Sequence, residues 1–112
     1  QGRPCLILYT IGAKTNLLRK NVLVFMKEED QICLVASKGG SPTNPGWYHN
    51  LIANPKCEIQ IGKSKYDAVA REVYEDEREE WWHKMDYMNN GGYSNYQLRT
   101  SRKIPVLVLT LS

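Results

Sequence analysis

The chain has 112 residues, of which 42% are hydrophobic and 24% charged, enough for one domain with a modest core and too few for two. That balance belongs to an ordinary globular chain, not to a disordered or fibrous one, and no apolar run approaches the ~20 residues needed to cross a bilayer. The net charge of +3 hides a segregation: residues 1–71 carry ten Lys or Arg against five Asp or Glu, residues 72–80 carry six acids and Arg78, and residues 81–112 carry four bases and Asp86. The basic excess suits a small anionic ligand but is too thin for nucleic acid, which calls for a denser stripe. The acidic run reads as a solvated helix face.

Gln1-Gly2-Arg3-Pro4 leads straight into an apolar run and lacks the form of a signal peptide. So abrupt a start implies a trimmed N-terminus, which leaves room for an anchor or extension and, through it, for membrane association. Cys5, Cys33 and Cys57 are an odd set without metal-ligand spacing. Each stands in a strand-like apolar run, so all three are expected as small core residues of a protein in the reducing cytoplasm. His49 and His83 have no cysteine partner nearby, and no metal site is expected.

In chain order, Cys5–Thr10 reads as a buried strand bounded by Pro4 and Gly12. Val22–Lys27 and Ile32–Ser37 flank the polar turn Glu28-Glu29-Asp30-Gln31 and predict a hairpin. Ser37–Gly46, with three glycines and two prolines, must be loop. Asn44 before Pro45 predicts a helix start, with Asn capping free amides and Pro at the first helical position. That helix should end near Asn54, because Pro55 disfavours helical geometry in the residue before it. Lys56–Gly62 alternates as a half-buried strand does, and Tyr66–Val73 follows with Tyr66, Ala68 and Ala70 on one face. Glu75 to Met88 predicts the longest helix: acids in its first turn suit the positive helix end, and Trp81, Trp82, Met85 and Met88 form its apolar side. After the break at Asn89-Asn90-Gly91-Gly92, Tyr93–Gln97 is a short helix candidate, and Ile104–Leu111 closes the chain as a strand with Pro105 near its start. Six strands, two main helices and hairpins in place of βαβ units predict an α+β fold, a mostly antiparallel barrel occupying residues 1–112 as a single domain.

The candidate chemistry sits in the loops. Gly12-Ala13-Lys14-Thr15 has the look of a P-loop, but Ala13 separates Gly from Lys and a strand follows where a helix is required, so nucleotide hydrolysis is not expected. Lys14, Thr15 and Arg19 still supply an ammonium, a hydroxyl and a guanidinium fork to an anion; the alternative is a solvated turn. Ser37-Lys38-Gly39-Gly40 ends a strand with paired glycines that let a ligand approach backbone amides; the alternative is a flexible connection. Trp47 and Tyr48 on the following helix are cofactor-stacking or core residues, and Asn50 donates to a ligand or caps a turn. Tyr93 and Tyr96, three residues apart, share a face if helical and either wall a substrate pocket or close the barrel mouth. His83 reads as a helix-surface residue, and no arrangement for nucleophilic hydrolysis is present. Together the two loops and the aromatic helix start are what an anionic, ring-bearing cofactor requires.

Taken together, these segments resemble the deazaflavin-dependent nitroreductase family, a branch of the flavin-type split β-barrel oxidoreductases. The pieces are Gly12–Thr15 with Arg19, Ala36–Gly40, Asn44–Leu51 with Ala53-Asn54-Pro55, Glu75–Arg78, Tyr93–Gln97 and Arg102–Val106, in the family's order and across nearly the whole chain. The resemblance implies a six-stranded split β-barrel and coenzyme F(420), a deazaflavin with a phosphate and an oligoglutamate tail. Lys14, Thr15 and Arg19 would then hold the phosphate. Ala36, Ser37, Lys38, Gly39 and Gly40 would form the strand end lining ring and tail, and Trp47 and Asn50 would complete the cleft. Ser37, Tyr93 and Tyr96 would face the acceptor as catalytic residues. The chain departs from the family at Ala13 and Asn16, and an aromatic expected shortly before Tyr93 falls in Asn89–Gly92, unless Tyr87 replaces it.

The implied reaction passes a hydride from reduced F(420) to a small-molecule acceptor such as a quinone, nitroaromatic or activated alkene. The cofactor carries the difficult chemistry, and the protein supplies orientation and electrostatics. An FMN-dependent reductase or oxidase on the same barrel, and a deazaflavin carrier without catalysis, are the rival readings. A homodimer is a further expectation, because related barrels often pair.

Overall fold

The computed structural model describes residues 3–112; Gln1 and Gly2, to which an N-terminal extension would attach, lie outside the described residues. Among the described residues the order is β1 (Cys5–Ile11), β2 (Leu18–Val24), β3 (Met26–Glu28), β4 (Gln31–Val35), a single 3-10 turn (Lys38–Gly40), α1 (Gly46–Ala53), β5 (Lys56–Ile61), β6 (Ser64–Val73), α2 (Glu75–Met88), α3 (Gly92–Gln97) and β7 (Val106–Leu111). The α+β class and the antiparallel pairing hold. The expected six strands and two main helices become seven strands and three helices.

The extra strand arises at Phe25. Val22–Lys27 looks like one apolar run, but its first part pairs with β1, Val22 opposite Ile7, and its last part pairs with β4, Met26 opposite Cys33. The sheet runs β2-β1-β5-β6-β7-β4-β3, so its two edge strands are separated in sequence by Phe25 alone. A seven-stranded sheet whose opposite edges are one residue apart has to roll into a barrel. Phe25 sits at that seam, its side chain buried and its N–H donated to the Pro4 carbonyl at 3.1 Å.

The barrel interior is filled by Leu6, Leu8, Phe25, Ile32, Leu34, Ile59, Leu107 and Leu109, with α1 contributing Trp47 and Leu51. A second cluster covers the opposite face of β4 and β7, where Cys33, Val35, Val106 and Val108 meet Trp81, Trp82 and Met85 of α2 and Tyr93 of α3. Strands buried on both faces have no polar side to show, which is why Ile32–Val35 and Val106–Leu109 do not alternate. Each large side chain so buried contributes roughly 1.5–3 kcal/mol.

The N-terminus of α1 differs from expectation. Its cap is Pro45 (φ −67°, ψ 155°) without a side-chain bond, and the helix begins at Gly46. The Asn44 side chain instead accepts a hydrogen bond from Arg102 at 2.6 Å, a charged donor that outcompetes neutral helix amides. Cys33 is buried and Cys57 half-buried, but Cys5 is exposed, because it stands at the outer end of β1. Burial pushes the Cys57 thiol up to about 11, with Asp67 adding to the shift. Among the described residues no helix is long and apolar enough to cross a membrane.

Candidate functional site

The β1–β2 turn is closed by its own backbone: Gly12 donates to the Leu17 carbonyl at 2.8 Å and Asn16 to the Gly12 carbonyl at 3.0 Å. Thr15 Oγ1 accepts from the Leu17 amide at 3.2 Å and from Arg19 Nη2 at 3.5 Å. Thr15 and Arg19 are therefore neighbours, and Lys14, Thr15 and Arg19 are all exposed. The ion pairs of the described residues use Arg71, Arg78 and Lys84, so Lys14, Arg19 and Lys38 are among the many cations without a carboxylate.

Asn50 fixes this turn to α1. Its Oδ1 accepts the Ala13 amide at 2.9 Å and its Nδ2 donates to Thr10 Oγ1 at 3.0 Å, with Asn50 and Thr10 both buried. The amide thus spends a donor and an acceptor inside the protein. Tyr48, the next aromatic on α1, turns away and donates its hydroxyl to Glu72 at 2.6 Å, and burial with this carboxylate raises its pKa strongly.

After β4 the chain makes an unusual bend. Ser37 is right-handed (φ −76°, ψ −39°) and Lys38 has a φ of 46°, followed by Gly39 at 63° and Gly40 at 82°. A right-handed residue followed by a left-handed one gathers three successive N–H groups into a concave anion-binding nest. Among the described residues the amides of Ser37, Lys38 and Gly39 have no acceptor, while Gly40 and Ser41 donate back to Ser37 and Lys38. A Cβ on Gly39 would meet nothing within 4 Å, so the approach to these amides is open.

Three adjoining hollows make one cleft. The first, about 260 Å³, is lined by Gly12–Thr15, Arg19, Gly46, His49 and Asn50. The second, about 620 Å³, continues from Arg19, Gly46 and Asn50 to Lys38, Pro45 and Trp47. The third, about 400 Å³, carries on from Lys38, Pro45 and Trp47 to Ser37, Gly39, Asn89, Tyr93 and Tyr96. The volumes suit a ligand of cofactor size. The cleft therefore brings together Lys14, Thr15, Arg19, Asn50, Trp47, Lys38, Gly39, Ser37, Tyr93 and Tyr96. Ala36 and Gly40 are buried and line none of the three hollows. Trp47 is mostly core, giving only one edge to the cleft, with 5% of its surface exposed.

On the far wall the Tyr93 and Tyr96 rings meet edge to face, 6.2 Å apart. Burial pushes the Tyr93 hydroxyl up to about 12, so it is a neutral donor at ordinary pH. Asp86 of α2 holds α3 in place by accepting from the amide and hydroxyl of Ser94. Tyr87 does not stand in for the missing aromatic: it is 88% exposed, on the solvent side of α2, and Asn89 lines the cleft at that wall. His83 is exposed on α2.

A residue that sequence reasoning did not place at the site bonds to the carbonyl side of this bend. Arg102 donates from Nε to the Ser41 carbonyl (2.8 Å), from Nη1 to the Ala36 carbonyl (3.2 Å) and Asn44 Oδ1 (2.6 Å), and from Nη2 to the Ser37 carbonyl (2.7 Å). No local pattern announces an arginine that acts 65 residues away.

Hollows of about 390 and 370 Å³ around Arg78 and Lys103 share no lining residue with the cleft. The Arg78 guanidinium there is already paired with Glu79 and the Ile104 carbonyl, which leaves Lys103 as the one cation lining them without a partner among the described residues.

The sequence profile of the F(420)H(2)-dependent quinone reductases matches residues 1–111. Over 109 residues the chain is 45% identical to an F(420)H(2)-dependent quinone reductase of Mycobacterium tuberculosis, covering 96% of this chain and 73% of that one. A solved structure described as an F(420)-H(2) dependent reductase superposes with a TM-score of 0.86 at 39% identity, covering 96% of this chain and 94% of the other. Another, described as a domain-swapped dimer, has a TM-score of 0.87 at 38% identity, covering 97% and 81%.

Proposed function

The chain belongs to the F(420)H(2)-dependent quinone reductase family, and from that premise we propose that this cleft binds reduced coenzyme F(420) for the reduction of a small-molecule acceptor. The supporting observation is the donor set: unpaired cations at one end of a continuous cleft and three unpartnered, convergent amides at the other. That set fits a long ligand with a phosphate at one end and a polar ring at the other.

Lys14 and Arg19 would grip the phosphate, with Thr15 as an additional hydroxyl. The nest at Ser37–Gly39 would meet the ring, and Trp47 and Asn50 would form the wall between. The bound cofactor supplies a hydride. The residues supply placement: Tyr93 and Tyr96 close the cleft over an acceptor, and a hydroxyl of Ser37, Tyr93 or Tyr96 donates to the oxygen on which negative charge develops. Neutral Tyr93 is suited to that role. A quinone is the acceptor class that the family relationship favours, with nitroaromatics and activated alkenes sharing the same electron demand.

An anaerobic titration with F(420), followed by fluorescence, should show saturable binding, and a panel of acceptors should show oxidation of the reduced cofactor. Tight FMN binding without F(420) affinity would overturn the assignment in favour of a flavin enzyme. Binding without any acceptor-dependent oxidation would make the protein a carrier. We also take residues 1–112 as one domain. The likeness to a domain-swapped dimer supports a homodimer, which sedimentation at micromolar concentration tests.

A further inference from the structure

We propose that Arg102 is a positioning residue whose guanidinium fixes the Ser37–Gly39 amides in the orientation that receives the cofactor. The inference rests on the F(420) reading for its consequence in binding, and on geometry for the clamp itself.

A backbone segment has two sides, and turning its carbonyls one way turns its amides the other. Arg102 collects the carbonyls of Ala36, Ser37 and Ser41 from three directions. It also takes the Asn44 side chain, so four of its five N–H donors hold one loop. Burial lowers its pKa, as expected of a cation drawn partly out of water, yet its chemistry keeps it charged at every ordinary pH.

What the clamp resists is visible at Lys38. A non-glycine residue at φ 46° is strained and persists only where its surroundings over-determine it. The residues on either side of that strain, Ala36, Ser37 and Ser41, are the ones whose carbonyls Arg102 holds. Released, Lys38 would relax towards an ordinary φ and the three amides would lose their common direction. Arg102 lines none of the three hollows of the cleft. Its effect therefore passes through the loop.

Lysine cannot replace it, because one ammonium on a flexible stem lacks the fork that reaches several carbonyls at once. Arg102→Lys, Arg102→Met and Asn44→Ala form a graded series, and Asn44→Ala loosens the clamp while keeping the charge. At a temperature where each variant is folded by circular dichroism, Arg102→Met and Arg102→Lys should weaken F(420) binding roughly 10- to 100-fold, as small misplacements of a binding group do, and Asn44→Ala by a smaller factor. A deazaflavin lacking the phosphate and tail should lose affinity by the same factor, since the defect lies at the ring end.

Ligand-free amide hydrogen exchange and N–H resonances give an independent reading. Those of Ser37, Lys38 and Gly39 should change in Arg102→Lys and Asn44→Ala, while those of β5 and β6 stay put. If Arg102→Met fails to fold, the other two variants decide. Wild-type affinity in both, with unchanged Lys38 and Gly39 amides, overturns the inference. A wild-type protein that does not bind F(420) would sink the proposed function, and the amide signals would still test the clamp.

Discussion

Gly39 and Gly40 are adjacent, both with positive φ, and predicted to respond very unequally to alanine. At Gly40 (φ 82°) a Cβ would stand 2.7 Å from the Tyr96 carbonyl oxygen and 2.9 Å from Arg99 Cβ. Neither neighbour is the free end of a flexible side chain, so α3 has to move. The left-handed conformation costs a residue with a Cβ roughly 1–2 kcal/mol, and overpacking adds roughly 1–3 kcal/mol. Gly40→Ala should therefore lose about 1–4 kcal/mol once the ~0.4–1 kcal/mol from the stiffer unfolded chain is subtracted, or very roughly 5–20 °C in Tm for a domain of this size. At Gly39 (φ 63°) a Cβ meets nothing within 4 Å, so only the conformational cost remains. Part of that is offset by about 0.4–1 kcal/mol from the stiffer unfolded chain. Gly39→Ala should stay within about 1 kcal/mol of wild type, yet its methyl group enters the cleft and should weaken F(420) binding. Urea unfolding at 25 °C measures the stabilities, and cofactor titration measures the affinities. Equal stabilities for the two variants would refute the packing of α3 against this turn.

The remaining predictions concern the cleft and its supports. Lys14→Ala combined with Arg19→Ala should weaken F(420) binding by about 2–3 kcal/mol, taking the lower range for charged hydrogen bonds because both side chains are exposed. Its kcat at saturating cofactor should be unchanged, and a titration showing wild-type affinity would remove both residues from the phosphate role. Tyr93→Phe should reduce kcat with little change in cofactor affinity, checked by steady-state kinetics with a quinone. The same substitution bears on alkaline stability. Because the folded Tyr93 pKa lies near 12 against 10 unfolded, its stabilising contribution is complete below pH 10 and is lost as pH rises towards 12. Thermal unfolding of Tyr93→Phe across that window should fall less steeply than that of wild type. Asn50→Ala should cost about 1–3 kcal/mol of stability through its buried hydrogen bonds and lower cofactor affinity by loosening the Gly12–Leu17 turn, which the same two assays detect.

Much of the fold was legible because its signals are local. The Glu75–Met88 helix declares itself through an acidic first turn and aromatic spacing, and the Glu28–Gln31 turn through its polarity. The break at Phe25 was not legible, since nothing in Val22–Lys27 says that its halves face different partners. Asn44 illustrates the same limit: before a proline it carries every local mark of a helix cap, and a distant guanidinium claims it instead. The loops that line the cleft could be picked out from glycine and lysine content. Ala36 and Gly40 could not be set apart from their cleft-lining neighbours, because which side of a loop faces a ligand depends on what grips the other side. Tyr87 was likewise ambiguous until the phase of α2 turned it to solvent.

The place of β7 in the sheet bears on how the protein is made. β7 lies between β6 and β4, so among the described residues it alone stitches the β3–β4 hairpin, with the Ser37 turn at its end, to the sheet carrying the Gly12–Leu17 turn. A nascent chain on the ribosome that has not yet extruded residues 102–111 holds both halves of the cleft, linked through the seam at Phe25 but with no strand pairing between them. Long-range pairings of this kind form late. Residues 102–111 bring both the joining strand and Arg102, so the two walls of the cleft come together only once this segment has left the ribosome.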